Sequence, residues 1–181
     1  MSKKNREDEI LRRTWFRILS WVFTVGFGLV AVGLLVSLSH NLEGGPLPGA
    51  AACLFMIALS RRVMGSHIRL GSSFVTVINP LVTYSVPYDA VAEVRGGGGG
   101  TLNLITRTGD AIYSTGFGGS IIDNFVGSAD RAVARIEKQV GRGRRGAKGA
   151  QVTKGFTVSW VADVCAVGAM VCAVAAGILG I

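Results

Sequence analysis

The chain has 181 residues, of which 49% are hydrophobic and 17% charged, and its net charge is +8 at pH 7. Soluble domains usually carry charge on about a quarter of their residues. This composition therefore excludes a soluble domain spread evenly along the chain, and the charge deficit is local.

Residues 1–17, "MSKKNREDEILRRTWFR", form a basic N-terminal segment. Residues 18–38 are 21 in a row without a charge; at about 1.5 Å per residue they match the thickness of a hydrocarbon core and predict a transmembrane helix. A cleaved signal peptide is the competing reading, because the start is positive and "SLS" resembles a cleavage motif. The run exceeds the roughly 7–15 apolar residues of a signal core, which favours an uncleaved anchor.

After a loop over residues 39–46, the apolar segment 47–60 is short for a span and starts with Pro48 and Gly49 close together. Charge placement promotes it. All 19 Lys and Arg residues lie either at or before Arg17 or between Arg61 and Lys154. Cytoplasmic loops carry the Lys and Arg excess, so both blocks are expected inside, with an even number of crossings between them. Segment 47–60 then crosses or folds back deeply. A third apolar run, residues 156–181, is interrupted only by Asp163. The expected layout is a multi-pass cell-membrane protein with three spans. Its N-terminus and middle portion are cytoplasmic, and loop 39–46 and the C-terminus external. Trp15, Trp21 and Trp160 fall near the cytoplasmic interfaces, where aromatic rings are favoured.

Residues 61–140 change pattern. "SHIRL", "SFVTVIN", "VTYSVPY", "VAEVR", "TLNLITR" and "AIYSTGF" read as short strands separated by turn residues. Val75 and Val77 share one face, and Phe74, Thr76 and Ile78 the other. Six such strands are expected to form a small antiparallel barrel or two-layer sheet, since closure removes exposed edges. The spacing then turns helical. Ile122, Phe125, Val126, Ala129, Ala132, Val133, Ile136 and Val140 make one apolar stripe, with Ser120 and Asp123 placed to cap its start and Gly141 to end it. This helix is expected to cover the open end of the β-unit.

The stretch "FVTVINPLVTYSVPYDAVAEV" resembles the bacterial pleckstrin-homology-like (PH-like) domains of small actinobacterial membrane proteins, including the low-molecular-weight protein antigen 6 type. The resemblance rests on Asn79, Pro80, Pro87, Tyr88, Val91 and Val94 and covers about residues 61–140. One departure is "HIRLGSSF", where the family often has an acidic residue and glycine before the second strand. The resemblance implies a scaffold without catalysis. Headgroup-binding PH domains set several Lys and Arg on their first two strands, whereas here only Arg69 lies there; Arg61 and Arg62 read as anchors of the second span.

Other chemistries find little support. "RGGGGGT", residues 95–101, lacks the lysine and following helix of a phosphate-binding P-loop and reads as a flexible connection. Cys53, Cys165 and Cys172 fall inside predicted spans without metal-ligand spacing, and His40 and His67 are expected on opposite sides of the membrane. Neither a cofactor nor a specific small molecule is expected.

Three sets of residues remain as candidates. Arg131, Arg135, Lys138 and Arg142 line one side of the last soluble helix, and Arg144, Arg145 and Lys148 continue the charge through a glycine-rich tether of residues 141–155, expected to have low order. Together they suit contact with an anionic inner leaflet, or else serve as a solvated face and an inside-positive signal. Nucleic acid is not an expected partner, because the tether has no aromatic residues to stack bases. In the third span Cys165, Ala169, Ala173 and Gly177 recur every four residues, widened by Gly168, Ala176 and Gly180, as a packing face for another span or a second copy, with Gly26, Gly28 and Gly33 of the first span placed to receive it. Asp163, about two turns inside that span, is either functional, or reaches the headgroups, or pairs with Lys154 or Arg17. The expected function is a membrane-anchored adaptor for a protein partner or homo-oligomer. The alternatives are an electrostatic lipid sensor and a small transporter or enzyme subunit built on Asp163.

Overall fold

The computed structural model describes residues 9–12, 14–38, 45–97, 100–118, 128–143 and 151–179. The chain divides into two units, one of Met1–Arg13 with Ser66–Thr157 and one of Thr14–Gly65 with Val158–Ile181.

The second unit holds three helices long and apolar enough to cross a membrane: α1 (Thr14–Leu38), α2 (Pro46–Met64) and α4 (Trp160–Leu179). Helix α2 is longer than segment 47–60. Its prolines occupy the first turn, where their missing N–H groups cost nothing, and Arg61 and Arg62 sit in the last turn, where cations meet the exposed carbonyls. Its 19 residues extend about 28 Å at helical rise. Helix α4 starts later than residue 156, because residues 153–156 are a strand.

Helix α2 is central, packed on α1 along one side and on α4 along the other. Space for close approach is made at Gly49, where a Cβ would stand 2.9 Å from a methyl of Leu34 on α1, and at Gly168, where it would stand 3.3 Å from a methyl of Leu54 on α2. Among the described residues of one copy, no other helix reaches within 4 Å of a Cβ position at Gly26, Gly28 or Gly33, the expected receiving surface. Within one copy the four-residue row on α4 divides. Ala169 is buried and Cys165 half-buried, but Ala173 and Gly177 are exposed; the buried seam is Ala162, Ala169 and Ala176. Four residues advance about 400°, so a four-residue row drifts roughly 40° per step around the helix. A seven-residue repeat drifts only about 20°.

The first unit contains two antiparallel sheets in place of a closed barrel. One has the order β1 (Glu9–Leu11), β2 (His67–Leu70), β3 (Phe74–Ile78), β4 (Val82–Pro87), β8 (Thr153–Phe156); the other has the order β5 (Val91–Gly97), β6 (Gly100–Thr106), β7 (Ala111–Tyr113). A short 3-10 turn, Thr115–Phe117, follows β7 where the last expected strand would have continued. Two strands come from outside residues 61–140. Strand β1 belongs to the basic N-terminal segment and pairs with β2, and β8 belongs to the expected tether and pairs with β4.

Val75 and Val77 lie on the same strand face and point into the core, joining Ile68, Leu70 and Val86 of one sheet and Tyr88 just after it with Val91, Val94, Leu102, Leu104 and Ile112 from the other. Helix α3 (Ser128–Gly143) packs on β5 and β6 through Ala132, Ile136 and Val140. It runs past Gly141, which therefore does not end it. The expected cap at Ser120 and Asp123, with Ile122, Phe125 and Val126, lies outside the described residues.

Of the five glycines, Gly96, Gly97 and Gly100 are strand residues, and Gly98 and Gly99 lie outside the described residues. Gly96 has φ +154°, and a Cβ there would stand 2.9 Å from the Leu102 Cα. Backbone packing, more than a flexible tip, requires glycine at this position.

Candidate functional site

Consecutive residues on a helix point about 100° apart, so the two arginines ending α2 reach different neighbours. Arg61 turns toward α1: its Nη1 donates to the Ser20 hydroxyl at 3.5 Å, and its guanidinium lies 5.0 Å from the ring centroid of Trp21. Ser20 is buried, and its carbonyl accepts a 2.6 Å bond from the Thr24 hydroxyl. Arg62 turns toward α4, where its Nη2 donates to Asp163 Oδ1 in an ion pair. The other Asp163 oxygen accepts the Ser159 backbone N–H at 3.1 Å. Asp163 lies in the first turn of α4, not two turns inside, and its ion-pair partner is Arg62, not Lys154 or Arg17. Lys154 instead lies over the Tyr84 ring, 5.7 Å from its centroid. A carboxylate engaged on both oxygens, placed where a helix N-terminus favours negative charge, is suited to joining helices. The sequence offered Asp163 as a lone charge; its partner was hidden because "RR" also reads as a cytoplasmic anchor.

The basic residues are only partly brought together. Arg131, Arg135 and Lys138 are exposed on α3, and Arg142 belongs to the same helix. Arg144, Arg145 and Lys148 lie outside the described residues. Arg135 forms an ion pair with Glu9 of β1, so one cation of the row holds the N-terminal strand to the helix. On β5, Arg95 pairs with Glu93 at 2.8 Å, and its hydrogen bond holds the Glu93 carboxyl below the ordinary glutamate range.

The residues that carried the family resemblance build the fold of the β-unit. The Asn79 amide bridges the two sheets: its Nδ2 donates to the Tyr113 carbonyl at 2.8 Å, and its Oδ1 accepts the Thr115 N–H at 2.9 Å. Pro87, Tyr88, Val91 and Val94 are buried, and the Tyr88 hydroxyl donates to the Gly71 carbonyl at 2.8 Å. Arg69 is exposed on β2, with Ile10 and Thr76 as its strand neighbours. Among the described residues no three His, Cys, Asp or Glu side chains are grouped to hold a metal ion. Cys53 is buried and Cys165 and Cys172 half-buried in their helices. No family model matches the chain, and neither a curated protein nor a solved structure matches it.

Proposed function

We propose that this chain is a multi-pass bacterial membrane protein whose two-sheet, PH-like unit is held at the cytoplasmic face as a platform without catalysis for a protein partner. The observation that carries this reading is strand pairing across the apolar helices. The strand before α1 pairs with the strand after α2, and the strand before α4 joins the same sheet. If α1 and α2 both cross lipid, their outer ends return to one side, as the charge pattern independently requires. The basic segments then mark that side as cytoplasmic.

Two sheets followed by one helix suit a PH-like assignment, and Asn79 and Tyr88 supply structural reasons for the residues of the resemblance. The engagement of Asp163 by Arg62 supports an assembly role over a transport or enzymatic centre. Attraction of Arg131 and Lys138 to anionic lipid is a second contribution, on the order of 1 kcal/mol per cation near the surface. Cysteine labelling near Asn41 and at the C-terminus of the full chain in intact cells tests the layout, with both expected to react from outside. Crosslinking and pull-down from native membranes tests the platform. A reproducible protein partner is expected, whereas recovery of this chain alone points to a homo-oligomer.

A further inference from the structure

The register of the five-stranded sheet sorts its two ends. Ile68 of β2 lies opposite Leu11, His67 opposite Ile78, Ile78 opposite Thr83, and Val82 opposite Phe156. Leu11, His67, Ile78, Val82 and Phe156 therefore form a row along one end. The chain leaves this row for all three apolar helices: to Thr14 after Leu11, from Met64 before His67, and to Trp160 after Phe156. The one strand connection at this end that leads to no helix is the β3–β4 turn, residues 79–81.

That turn has the wrong chemistry for open water. Leu81 is 58% exposed, and the sequence from Leu70 to Tyr88 contains no charged residue. Asn79 holds the end of β7 beside it by donating to the Tyr113 carbonyl and accepting the Thr115 N–H, and Tyr113 is 59% exposed. Next along the row, the Leu81 carbonyl accepts the Thr157 N–H at 3.0 Å. Thr157 is three residues from the start of α4, a chain length of at most about 11 Å. Phe156, 68% exposed, stands in the same row. An apolar tip with an adjacent amphipathic tyrosine, tied this closely to the start of a span, matches the chemistry of a headgroup boundary.

We infer that the β3–β4 turn rests in the lipid headgroup region, with Leu81 dipping toward the acyl chains and Tyr113 at the polar boundary. The occupant of this surface is lipid, and the inference rests on the three helices being spans. Such a contact fixes which end of the β-unit faces the bilayer and leaves the opposite end, with the turn of residues 71–73, for a partner.

The test uses the full chain in bilayers of phosphatidylcholine and phosphatidylglycerol, with Cys53, Cys165 and Cys172 replaced by alanine. Single cysteines introduced by Leu81→Cys, Ser72→Cys and Val25→Cys carry an environment-sensitive dye. Leu81 and Ser72 are exposed turn positions at opposite ends of the sheet, and Val25 is exposed on α1. A lipid-borne nitroxide is expected to quench the label at 81 several-fold more than at 72, and aqueous iodide is expected to show the reverse order. Equal behaviour at 81 and 72 overturns the inference. So does a label at 81 shielded from both quenchers, which marks a protein contact. The label at 25 separates the two levels of argument: if it is lipid-quenched and 81 is not, only this inference falls, and if it is not, the spanning reading falls as well.

Discussion

Arg62 and Asp163, 101 positions apart in sequence, close the gap between the last turn of α2 and the first turn of α4. The pair is partly buried, with 18% of the arginine and 34% of the aspartate side chain exposed. An exposed pair contributes about 0–1 kcal/mol, and breaking a fully buried one costs about 3–5. Asp163→Asn, which removes the carboxylate facing Arg62, is therefore expected to lower stability by about 2 kcal/mol, between these limits. The check is a double-mutant cycle with Arg62→Gln, read as thermal stability in bilayers. Additive effects of the two substitutions would show that the pair carries no coupling.

Gly96→Ala is expected to destabilise the β-unit by about 1–3 kcal/mol, the usual cost of forcing an extra methyl into packed structure. The new methyl would meet the Leu102 backbone at 2.9 Å and a Val133 methyl at 3.3 Å, at a positive φ that alanine disfavours. Gly109 also has positive φ, +91°, but open space beside it. Gly109→Ala should show only the conformational part, and thermal melts followed by circular dichroism should rank Gly96→Ala as the more damaging. The reverse order would show that crowding at Gly96 is relieved cheaply.

Asn79→Ala removes both bonds that join the β3–β4 turn to the end of β7. At about 1 kcal/mol net per bond, a loss of about 1–2 kcal/mol is expected. Asn79→Asp should recover only part, because the carboxylate accepts from Thr115 N–H but offers nothing to the Tyr113 carbonyl. Chemical denaturation of the three proteins in detergent provides the comparison.

What the sequence made legible follows from how strong each local signal is. Charge-free runs located α1, α2 and α4, and the alternation separated Val75 and Val77 from Phe74, Thr76 and Ile78, while burial in the fold, not the alternation, identifies the Val75 and Val77 face as the inward one. Strand β1 escaped because three residues are too few for a period to emerge. Strand β8, "TKGF", escaped because all four residues are exposed and no apolar alternation exists to be read. Both are recruited by pairing partners far along the chain, a non-local cause that a window of neighbouring residues does not contain. The partners of Asp163 and Arg135 were hidden for the same reason. The small-residue face of α4 was visible as composition: Gly168, Ala169 and Ala176 meet the neighbouring helix or are buried, whereas a four-residue spacing drifts around the helix and leaves Ala173 and Gly177 exposed.

Glu93 gives a pH prediction with a definite sign. The hydrogen bond from Arg95 lowers its pKa, so the pair is intact above the ordinary glutamate range and is lost as pH falls through the lowered value. Both side chains are exposed, which makes the carboxyl titration, not stability, the quantity to measure. Side-chain NMR should place the Glu93 midpoint below that of the same residue in Arg95→Met. Identical midpoints would mean that the exposed pair does not persist in solution.

Arg135 separates a structural from an electrostatic use of the basic helix. In the row Arg131, Arg135, Lys138, the ion pair of Arg135 with Glu9 ties the helix to β1, the three-residue strand at the edge of the larger sheet. So short a strand has few backbone bonds, and its attachment depends on side chains more than that of a central strand would. Both partners are substantially exposed, so the pair contributes at most about 1 kcal/mol, which corresponds to about a five-fold change in a local opening equilibrium. Arg135→Gln is expected to speed hydrogen exchange in Glu9–Leu11 by up to about that factor, whereas Lys138→Gln should leave it unchanged while removing an equal charge. If the two substitutions act alike, the effect is one of net charge near a membrane surface and the pair with Glu9 is incidental. If only Arg135→Gln acts, part of the positive face serves to fasten the N-terminal strand, and fewer of its cations remain for anionic lipid than the sequence suggests.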